Sequence, residues 1–294
     1  MLRVTENMIY SSMSKDIARA GKRHFQAQEN AQTGVRVHKA SDDTVGANLN
    51  SLLETSIARL EVMGRVSNRS ELILNASESA LGHADNILIR AKEIVLAAAN
   101  STYSNLERQT MVEELTILRD QLLAAANTKV DGMYIFGGFL DTSAPFQNDG
   151  TFIGDNNVRM VEIAPNTRIA ANVSGSDAFT VTGGQDIFTM LDTLIIDVNA
   201  NNAANIQTGL TNLDNAREQI TAVRVDTGNL LNAIESASFR REEQVELLER
   251  GRQDAIGVDP AQSLADLAQA QQALQSALSQ ASYILSSLRE RLLF

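Results

Sequence analysis

The chain has 294 residues, of which 44% are hydrophobic and none is cysteine, and its formal net charge is -11. This composition suits about one to three folded domains; the negative charge argues against nucleic acid or anionic lipid as the main partner, and the lack of cysteine excludes disulfides, thiolate metal sites and cysteine nucleophiles. No apolar run approaches the roughly 18 to 20 residues of a membrane span, and residues 1–20 lack the apolar block of a cleaved secretory signal.

Helix-forming residues dominate both ends of the chain. Segments rich in Ala, Leu, Gln, Glu and Arg predict helices over most of 5–32 and over 47–100, 106–129, 206–256 and 261–293. The fourth segment alone would extend roughly 75 Å if unbroken, whereas an average helix has about 11 to 12 residues. The sequence therefore predicts a long helical rod.

Two of these segments carry small and apolar residues in the alternating three-residue and four-residue steps of a heptad pattern. The first stripe consists of Ile73, Ser77, Ala80, Ala84, Ile87, Ala91, Ile94 and Ala98. The second consists of Leu213, Ala216, Ile220, Val223, Thr227, Leu230, Ile234 and Ala237. Their small residues permit close helix approach, which fits either a coiled coil or an ordinary bundle of long helices.

The middle of the chain has a different composition. Six of the nine Phe, eight of the seventeen Gly and two of the three Pro lie between Asp131 and Phe188. Runs rich in β-branched residues at 158–163 and 168–173 predict a β-hairpin, with 133–136 and 151–153 as candidate partner strands. The sequence thus predicts a small β-rich insertion from which the chain returns, so that its two ends lie together.

The predicted fold is mainly α, with a long antiparallel rod or coiled coil formed by the N-terminal and C-terminal segments and a small central β domain. Five segments follow from this interpretation. They are an N-terminal assembly helix and joint at 1–40, the first half of the rod at 41–131, the β-rich insertion at 132–203, the second half of the rod at 204–257, and a C-terminal assembly helix at 258–294.

The C-terminal segment has the clearest periodic pattern in the chain. Asp259 and Pro260 are typical of a helix cap followed by a first-turn proline. The stripe that follows consists of Leu264, Leu267, Gln271, Leu274, Leu278, Ala281, Leu285, Leu288 and Leu292. Burying each leucine is favourable by roughly 1.5 to 3 kcal/mol, so this face requires a partner.

The N-terminal helix is the natural partner within the chain. Its own stripe consists of Ile9, Met13, Ile17, Ala20, His24, Ala27 and Ala31. This face is narrower than the leucine stripe, and two helices cover only part of each other's surface. The remaining apolar surface is predicted to bind another subunit, or alternatively to pack on the body of the same molecule. On the first interpretation, Ile9, Met13, Ile17 and the seven leucines are assembly residues.

The stretch TGVRVHKASDDTVGAN, residues 33–48, predicts a joint between two helices. Gly34 can supply the left-handed residue that ends the first helix, with the positive charge of Arg36 beside the carbonyl end. Ser41 is predicted to cap the next helix, with Asp42 and Asp43 in its first turn, where they can also pair with Arg36. Gly46 belongs to the same joint. A surface loop with routine caps explains these residues equally well.

Candidate catalytic chemistry is sparse. The three histidines, His24, His38 and His83, form none of the familiar metalloprotease, hydrolase or phosphate-binding motifs. The oxygen-rich loop at 148–157 does not have the spacing of an EF-hand and is predicted to be a hairpin loop. The sequence therefore predicts no enzyme, metal site or cofactor.

Four stretches resemble one family. They are RVTENMIYSSM at 3–13, the joint at 33–48, NTKVDGMYIFGGF with the following DTSAPF at 127–146, and LAQAQQALQSALSQASYILSSL at 267–288. Together they closely resemble the flagellin-like hook-filament junction proteins of bacteria, also called hook-associated protein 3. This chain departs from the family's joint signature at Thr33, where serine is usual, at Ala40, and at Thr44, where proline is usual. Residues 151–203 carry no recognisable pattern.

The resemblance implies a structural component of the flagellar axis, outside the cell, that sits between the other junction protein and the filament and templates flagellin addition. It implies export in an unfolded state by the flagellar type III apparatus, through an uncleaved N-terminal signal and with an export chaperone. In the family the terminal helices form a coiled-coil inner tube, and the β domain faces outward. The implied partners are the other junction protein, flagellin, the chaperone and further copies in a ring, without nucleic acid, membrane, small-molecule substrate or cofactor.

Flagellin itself is the nearest alternative, because it has the same terminal coiled coil and variable centre. The stretches SDDTVGAN and GMYIFGG favour the junction protein. An enzyme or a cytosolic coiled-coil scaffold would be functions of a different class.

Overall fold

A computed structural model describes residues 6–100, 103–180, 184 and 186–292. The chain is mostly helical, with long helices and a small β part in the middle, which confirms the predicted fold class. Its elements in order are α1 (Glu6–Thr33), α2 (Thr44–Ala98), α3 (Asn105–Ala126), β1 (Lys129–Val130), β2 (Met133–Tyr134), β3 (Met160–Ala164), β4 (Thr167–Ala170), α4 (Gly175–Phe179), α5 (Ile187–Asn199), α6 (Ala203–Ile256) and α7 (Pro260–Leu292). None of the helices in the described ranges combines the length and apolarity of a membrane span.

The chain divides into two compact units. Unit 1 comprises Met1–Arg59 and Gln244–Phe294, and unit 2 comprises Leu60–Glu243. Helices α2 and α6 contribute residues to both units.

Helices α2 and α6 pack antiparallel in unit 2. Ion pairs join Arg217 to Asp85 at 2.9 Å and Arg224 to Glu78 at 2.7 Å, so the residue number falls along one helix as it rises along the other. Both predicted stripes lie in the buried face between these helices. Except for the half-buried Ile73, Val223 and Leu230, every residue of the two stripes is buried.

The β insertion contains two antiparallel hairpins. Strands β3 and β4 pair as predicted, with Val161 opposite Ile169. The prediction was wrong for 133–136, because Met133 and Tyr134 pair with β1 in a separate two-stranded sheet. The tight turn between β1 and β2 has Asp131 at φ 52° and Gly132 at φ 80°, a conformation that asparagine, aspartate and glycine adopt most readily. That hairpin also ends α3 at Ala126, three residues before the predicted end.

The candidate strand at 151–153 makes only one isolated β-bridge, between Phe152 and Phe146. Two helices that the sequence analysis did not predict, α4 and α5, also lie within 132–203. Helix α5 begins after Asp186, whose carboxylate accepts a hydrogen bond from the Thr189 amide at 3.1 Å. Its apolar face packs on the core of unit 2 and against α3. The insertion is therefore a mixed α and β region.

Five of the six phenylalanines of the middle segment form the core of this region, whereas Phe139 is 52% exposed. Phe136, Phe146, Phe179 and Phe188 are fully buried, and Phe152 packs against them. Neighbouring ring centroids lie 5.1 to 6.1 Å apart in tilted or edge-to-face arrangements, which are the favourable geometries for aromatic pairs. The uneven distribution of Phe along the sequence thus reflects one aromatic cluster.

Candidate assembly surfaces

Helices α1 and α7 pack against each other in unit 1. The α1 stripe lies on the packed side, with Ala20 and Ala27 buried and Ile9, Met13 and Ile17 half-buried. On α7 the covered positions follow a regular three-four alternation. They are Ser263, Leu267, Ala270, Leu274, Ala277, Ala281 and Ile284.

The leucine stripe of α7 is divided lengthwise by this packing. Leu267 and Leu274 are half-buried against α1, whereas Leu264, Leu278 and Leu285 keep 62%, 51% and 49% of their surface exposed. Gln271, in line with the three exposed leucines, is exposed as well. The side chains of Leu288 and Leu292 lie outside the described residues. Three leucines at multiples of seven positions therefore form an uncovered apolar line, which we call the leucine ridge (Leu264, Leu278 and Leu285).

The covered face of α7 is rotated by about one residue from the predicted stripe. Ser263, Ala270 and Ala277 are small, and small side chains let two helix backbones approach closely. The sequence analysis located the stripe by its leucines. It therefore centred the predicted contact with α1 about one residue away from the face that α1 covers. The residues that mark the true seam, alanine and serine at seven-residue spacing, were visible in the sequence.

The opposite flank of α7 is polar or small. It consists of the exposed residues Asp266, Ala273, Gln280 and Ser287. The helix also lacks charge over most of its length, since no Asp, Glu, Lys, Arg or His occurs from Leu267 to Leu288. On a helix whose middle part carries no charge, the leucine ridge is an exposed apolar surface that a partner can cover.

The joint after α1 has the geometry that the sequence predicted for its first half. Helix α1 ends at Thr33, and Gly34 adopts φ 69° while its amide donates to the Asn30 carbonyl at 2.9 Å. A left-handed glycine at this position satisfies a carbonyl of the last turn without steric cost.

The second half of the joint corrects the predicted cap. Ser41 lies in a turn and does not cap α2, which begins at Thr44. Asp43 takes that role, because its Oδ1 accepts hydrogen bonds from the amides of Val45 at 3.1 Å and Gly46 at 2.9 Å. Asp42 precedes the helix too and accepts from the Lys39 amide at 2.9 Å. Both aspartates therefore lie before the first turn rather than in it.

The joint is also bonded to the turn between α6 and α7. The Arg36 amide donates to the Ile256 carbonyl at 2.6 Å, and the Val258 amide donates to the Gly34 carbonyl at 3.1 Å. The Arg36 guanidinium donates to Asp43 at 3.0 Å and to the Ala255 carbonyl at 3.1 Å. Sequence reasoning found Arg36 and Asp43 but missed residues 255–258, which carry no sequence signal for this pairing.

Hydrogen bonds lower the pKa of Asp43 below its ordinary value of 3.8, first from the Gly46 amide and then from Arg36. Gly46 itself has no room for a side chain. A Cβ there would lie 2.8 Å from Asp43 Oδ2 and 3.0 Å from the Ala255 carbonyl oxygen. This glycine lets the start of α2 approach the end of α6.

The histidines are not gathered into a site. His24 lies half-buried in α1, His83 is exposed on α2, and His38 Nε2 is 3.0 Å from the side-chain amide of Asn30. Among the residues described, no three His, Asp or Glu side chains are placed to hold a metal ion.

The comparisons with known proteins point to flagellar proteins. Residues 4–140 match the family of the bacterial flagellin N-terminal helical region. Flagellar hook-associated protein 3 of Escherichia coli K12 is 24% identical, over 94% of this chain and 94% of its own length. The same protein of Salmonella typhimurium is 26% identical, over 79% and 81% of the two chains. Flagellin C of Vibrio anguillarum is 27% identical over 58% of this chain, but this covers only 46% of that flagellin.

Two solved structures share the fold. Hook-associated protein 3 of Legionella pneumophila has a TM-score of 0.64 at 18% identity and covers 69% of this chain and 98% of its own. FlgL of Bacillus cereus has a TM-score of 0.61 at 23% identity, over 69% and 99% of the two chains. The N-terminal family match, the relatives aligned over nearly their whole length and the shared fold agree. The chain is thus similar to flagellin-like proteins of the bacterial flagellum, and over most of its length to hook-associated protein 3.

Proposed function

We propose that this protein is a structural subunit of the bacterial flagellum that joins the hook to the filament and templates the addition of flagellin. The observation that carries the proposal is coverage: the hook-associated protein 3 of Escherichia coli aligns over 94% of both chains. Flagellin is the alternative, but the match to flagellin C covers only 46% of that flagellin.

The leucine ridge supports assembly as the molecular task. An exposed apolar line on a helix that is uncharged from Leu267 to Leu288 is costly in water, and its cost is removed when a neighbouring subunit covers it. Leu267 and Leu274, the leucines that pack against α1, fix α7 in the helix pair and so fix the position of the leucine ridge. The assembly residues are then of two kinds, those of the seam within one molecule and those of the ridge between molecules.

The partners follow from the position between hook and filament. They are the other junction protein on one side, flagellin on the other, and copies of this chain in a ring. Before assembly the protein is exported unfolded to the cell exterior by the flagellar type III apparatus, with an export chaperone. The absence of cysteine from the sequence is compatible with this route.

Deletion of the gene tests the function. Cells without it are expected to carry hooks without filaments and to shed flagellin into the medium, as seen by electron microscopy and by immunoblotting of the culture supernatant. Normal filaments on the deletion strain would refute the proposal. Complementation with a chain cut before Ala261 is expected to fail, because that chain lacks α7.

A second measurement separates the junction protein from flagellin. Purified flagellin is expected to grow long filaments when seeded, whereas this chain is expected to remain monomeric or in short assemblies by sedimentation and microscopy. Long homopolymers of this chain would favour the flagellin alternative.

A further inference from the structure

A groove runs between α1 and α7 on the flank opposite the leucine ridge. It has a volume of about 440 Å³, and its nine lining residues include Met8, Ile9 and Met13 from α1 and Ala277, Gln280 and Ile284 from α7. Six of the nine lining side chains are apolar, the exceptions are Ser12, Asp16 and Gln280, and Met8 is 61% exposed. The groove is thus a second uncovered apolar surface of the same helix pair.

The ridge and the groove lie on opposite flanks because of helix geometry. Leu278 and Gln280 are two positions apart, which places them roughly 200° apart around α7 at 3.6 residues per turn. One helix pair therefore presents a convex apolar line on one side and a concave apolar surface on the other.

The dimensions of the two surfaces correspond. Leu278 and Leu285 are seven positions apart, or about 10.5 Å along the helix axis. The groove extends on α1 from Met8 to Ile17, a distance of about 13 Å at the same rise per residue. The groove is long enough to receive both leucines together.

Charge favours a second copy of this chain as the occupant. The chain has a net charge of -11, so most contacts between identical copies bring like charges together. Helix α7 is uncharged from Leu267 to Leu288. Asp16, the acidic residue that lines the groove, has Arg19 beside it at 3.5 Å. Ridge and groove can therefore meet without burying an unpaired charge or repelling each other.

We infer that Leu278 and Leu285 of one copy insert into the groove between α1 and α7 of a second copy. This inference rests on the proposed function and specifies which surfaces of neighbouring subunits meet. Because two different surfaces are joined, the contact is heterologous: each copy uses its ridge toward one neighbour and its groove toward the other. Such contacts continue from subunit to subunit and produce a ring or a helical array rather than a closed pair.

Cysteine crosslinking tests the inference directly, since the natural chain contains no cysteine. Full-length chains carrying Ser12→Cys, in the groove, are co-expressed in the deletion strain with chains carrying Leu285→Cys or Leu278→Cys. Flagella are isolated and treated with a short thiol crosslinker, and dimers are identified by gel electrophoresis and peptide mass spectrometry. The matched control replaces the ridge cysteine with Gln272→Cys, an exposed position that lies roughly 120° around α7 from Leu278.

Crosslinked dimers that join position 12 to position 285 or 278 are expected, and the crosslink is expected to be lost with Gln272→Cys. Dimers that join only position 285 to 285, or 278 to 278, would overturn the inference, because they would indicate a symmetric contact between ridges. Equal crosslinking from Gln272→Cys would overturn it too. Each variant is first shown to restore filaments by itself; Asp16→Cys replaces Ser12→Cys if the latter does not.

Failure of the inference is distinguishable from failure of the proposed function. If filaments form and the crosslink is absent, the ridge and the groove do not meet, while the junction role is unaffected. If the deletion strain has normal filaments, the junction role itself is wrong, whatever the crosslinks are.

Discussion

Arg36 and Asp43 form a 3.0 Å ion pair across the loop that joins α1 to α2. The same guanidinium donates to the Ala255 carbonyl, and Asp43 also caps α2 through the amides of Val45 and Gly46. One ion pair thus links the start of α2 to the last turn of α6 within unit 1. These bonds connect the loop after α1, the start of α2 and the end of α6. The joint therefore differs from a plain surface loop, which would lack such contacts.

The joint is expected to weaken in acid. Asp43 has a folded-state pKa below its ordinary value of 3.8, so its contribution is present above pH 3.8 and is lost as pH falls through the folded-state pKa. Hydrogen exchange of the Val45 and Gly46 amides is expected to rise, relative to amides in unit 2, when the pH is lowered into that range. The variant Asp43→Asn should exchange faster already at neutral pH and show a smaller acid response. An unchanged acid response in this variant would assign the effect to another group.

Gly46 and Gly21 differ in the space available for a Cβ atom, so alanine substitutions at the two positions are expected to have opposite effects on stability. Gly46→Ala places a Cβ 3.0 Å from the Ala255 carbonyl oxygen and is expected to lower the free energy of unfolding by about 1 to 3 kcal/mol. Gly21→Ala meets no atom within 4 Å in the interior of α1 and is expected to raise helix stability by roughly 0.5 to 1 kcal/mol. Thermal unfolding followed by circular dichroism checks both; equal effects would contradict the close approach at Gly46.

Two arginines in unit 2 are expected to differ sharply in importance. The side chain of Arg119 is 11% exposed, and it bonds to Asp192 at 2.9 Å and to the Asn148 carbonyl at 2.6 Å. Arg119→Ala is expected to lower the free energy of unfolding by about 1 to 3 kcal/mol, because it leaves those acceptors without their donor. Arg90, with 52% of its side chain exposed and paired with Glu93 and Glu114, is the control.

Arg90→Ala is expected to leave the denaturation midpoint nearly unchanged, since exposed ion pairs are screened by water. Chemical denaturation of the two variants and the parent chain makes the comparison. Similar losses at both positions would show that burial does not decide the strength of these contacts.

The terminal helix pair is expected to open before unit 2. Its seam is narrow and rich in alanine, so opening it exposes little apolar surface. Chymotrypsin suits the measurement, because α7 has no Lys or Arg from Leu267 to Leu288 for trypsin to cleave. Early cleavage is expected at Tyr10, Phe25 and Tyr283, which are 61%, 65% and 75% exposed. Phe239 in α6 is the control at 72% exposure, and earlier cleavage there would contradict the order of opening.

The sequence predicted the long helices and the hairpin of β3 and β4, because heptad stripes and β-branched runs are local signals. It missed α5, whose many β-branched residues resemble a buried strand and whose helical state depends on packing against α3. It extended α3 too far, although the Asp131-Gly132 pair that forms the following turn was visible. These errors arise where tertiary contacts or turn chemistry override helix propensity.

The candidate sites were predictable to a similar extent. The role of Gly34 and the pairing of Arg36 with Asp43 followed from local rules. Serine and aspartate are equally good N-cap residues, so the sequence did not distinguish Ser41 from Asp43. The cap is Asp43 because α2 begins at Thr44. The hydrogen bonds between the joint and residues 255–258 connect distant parts of the chain, so they could not be predicted from the local sequence. On α7 the periodicity located the apolar face, but small residues decided which edge of it α1 covers. The assignment of the assembly residues stays a prediction.

Arg36 and Ala255 are 219 positions apart in the chain. A contact over such a separation can close only when almost the entire polypeptide is available. Helix α1 therefore cannot pack against α7 until the C-terminal segment has left the ribosome or an export channel. Unit 1 is therefore expected to fold after the aromatic core of the middle region has formed.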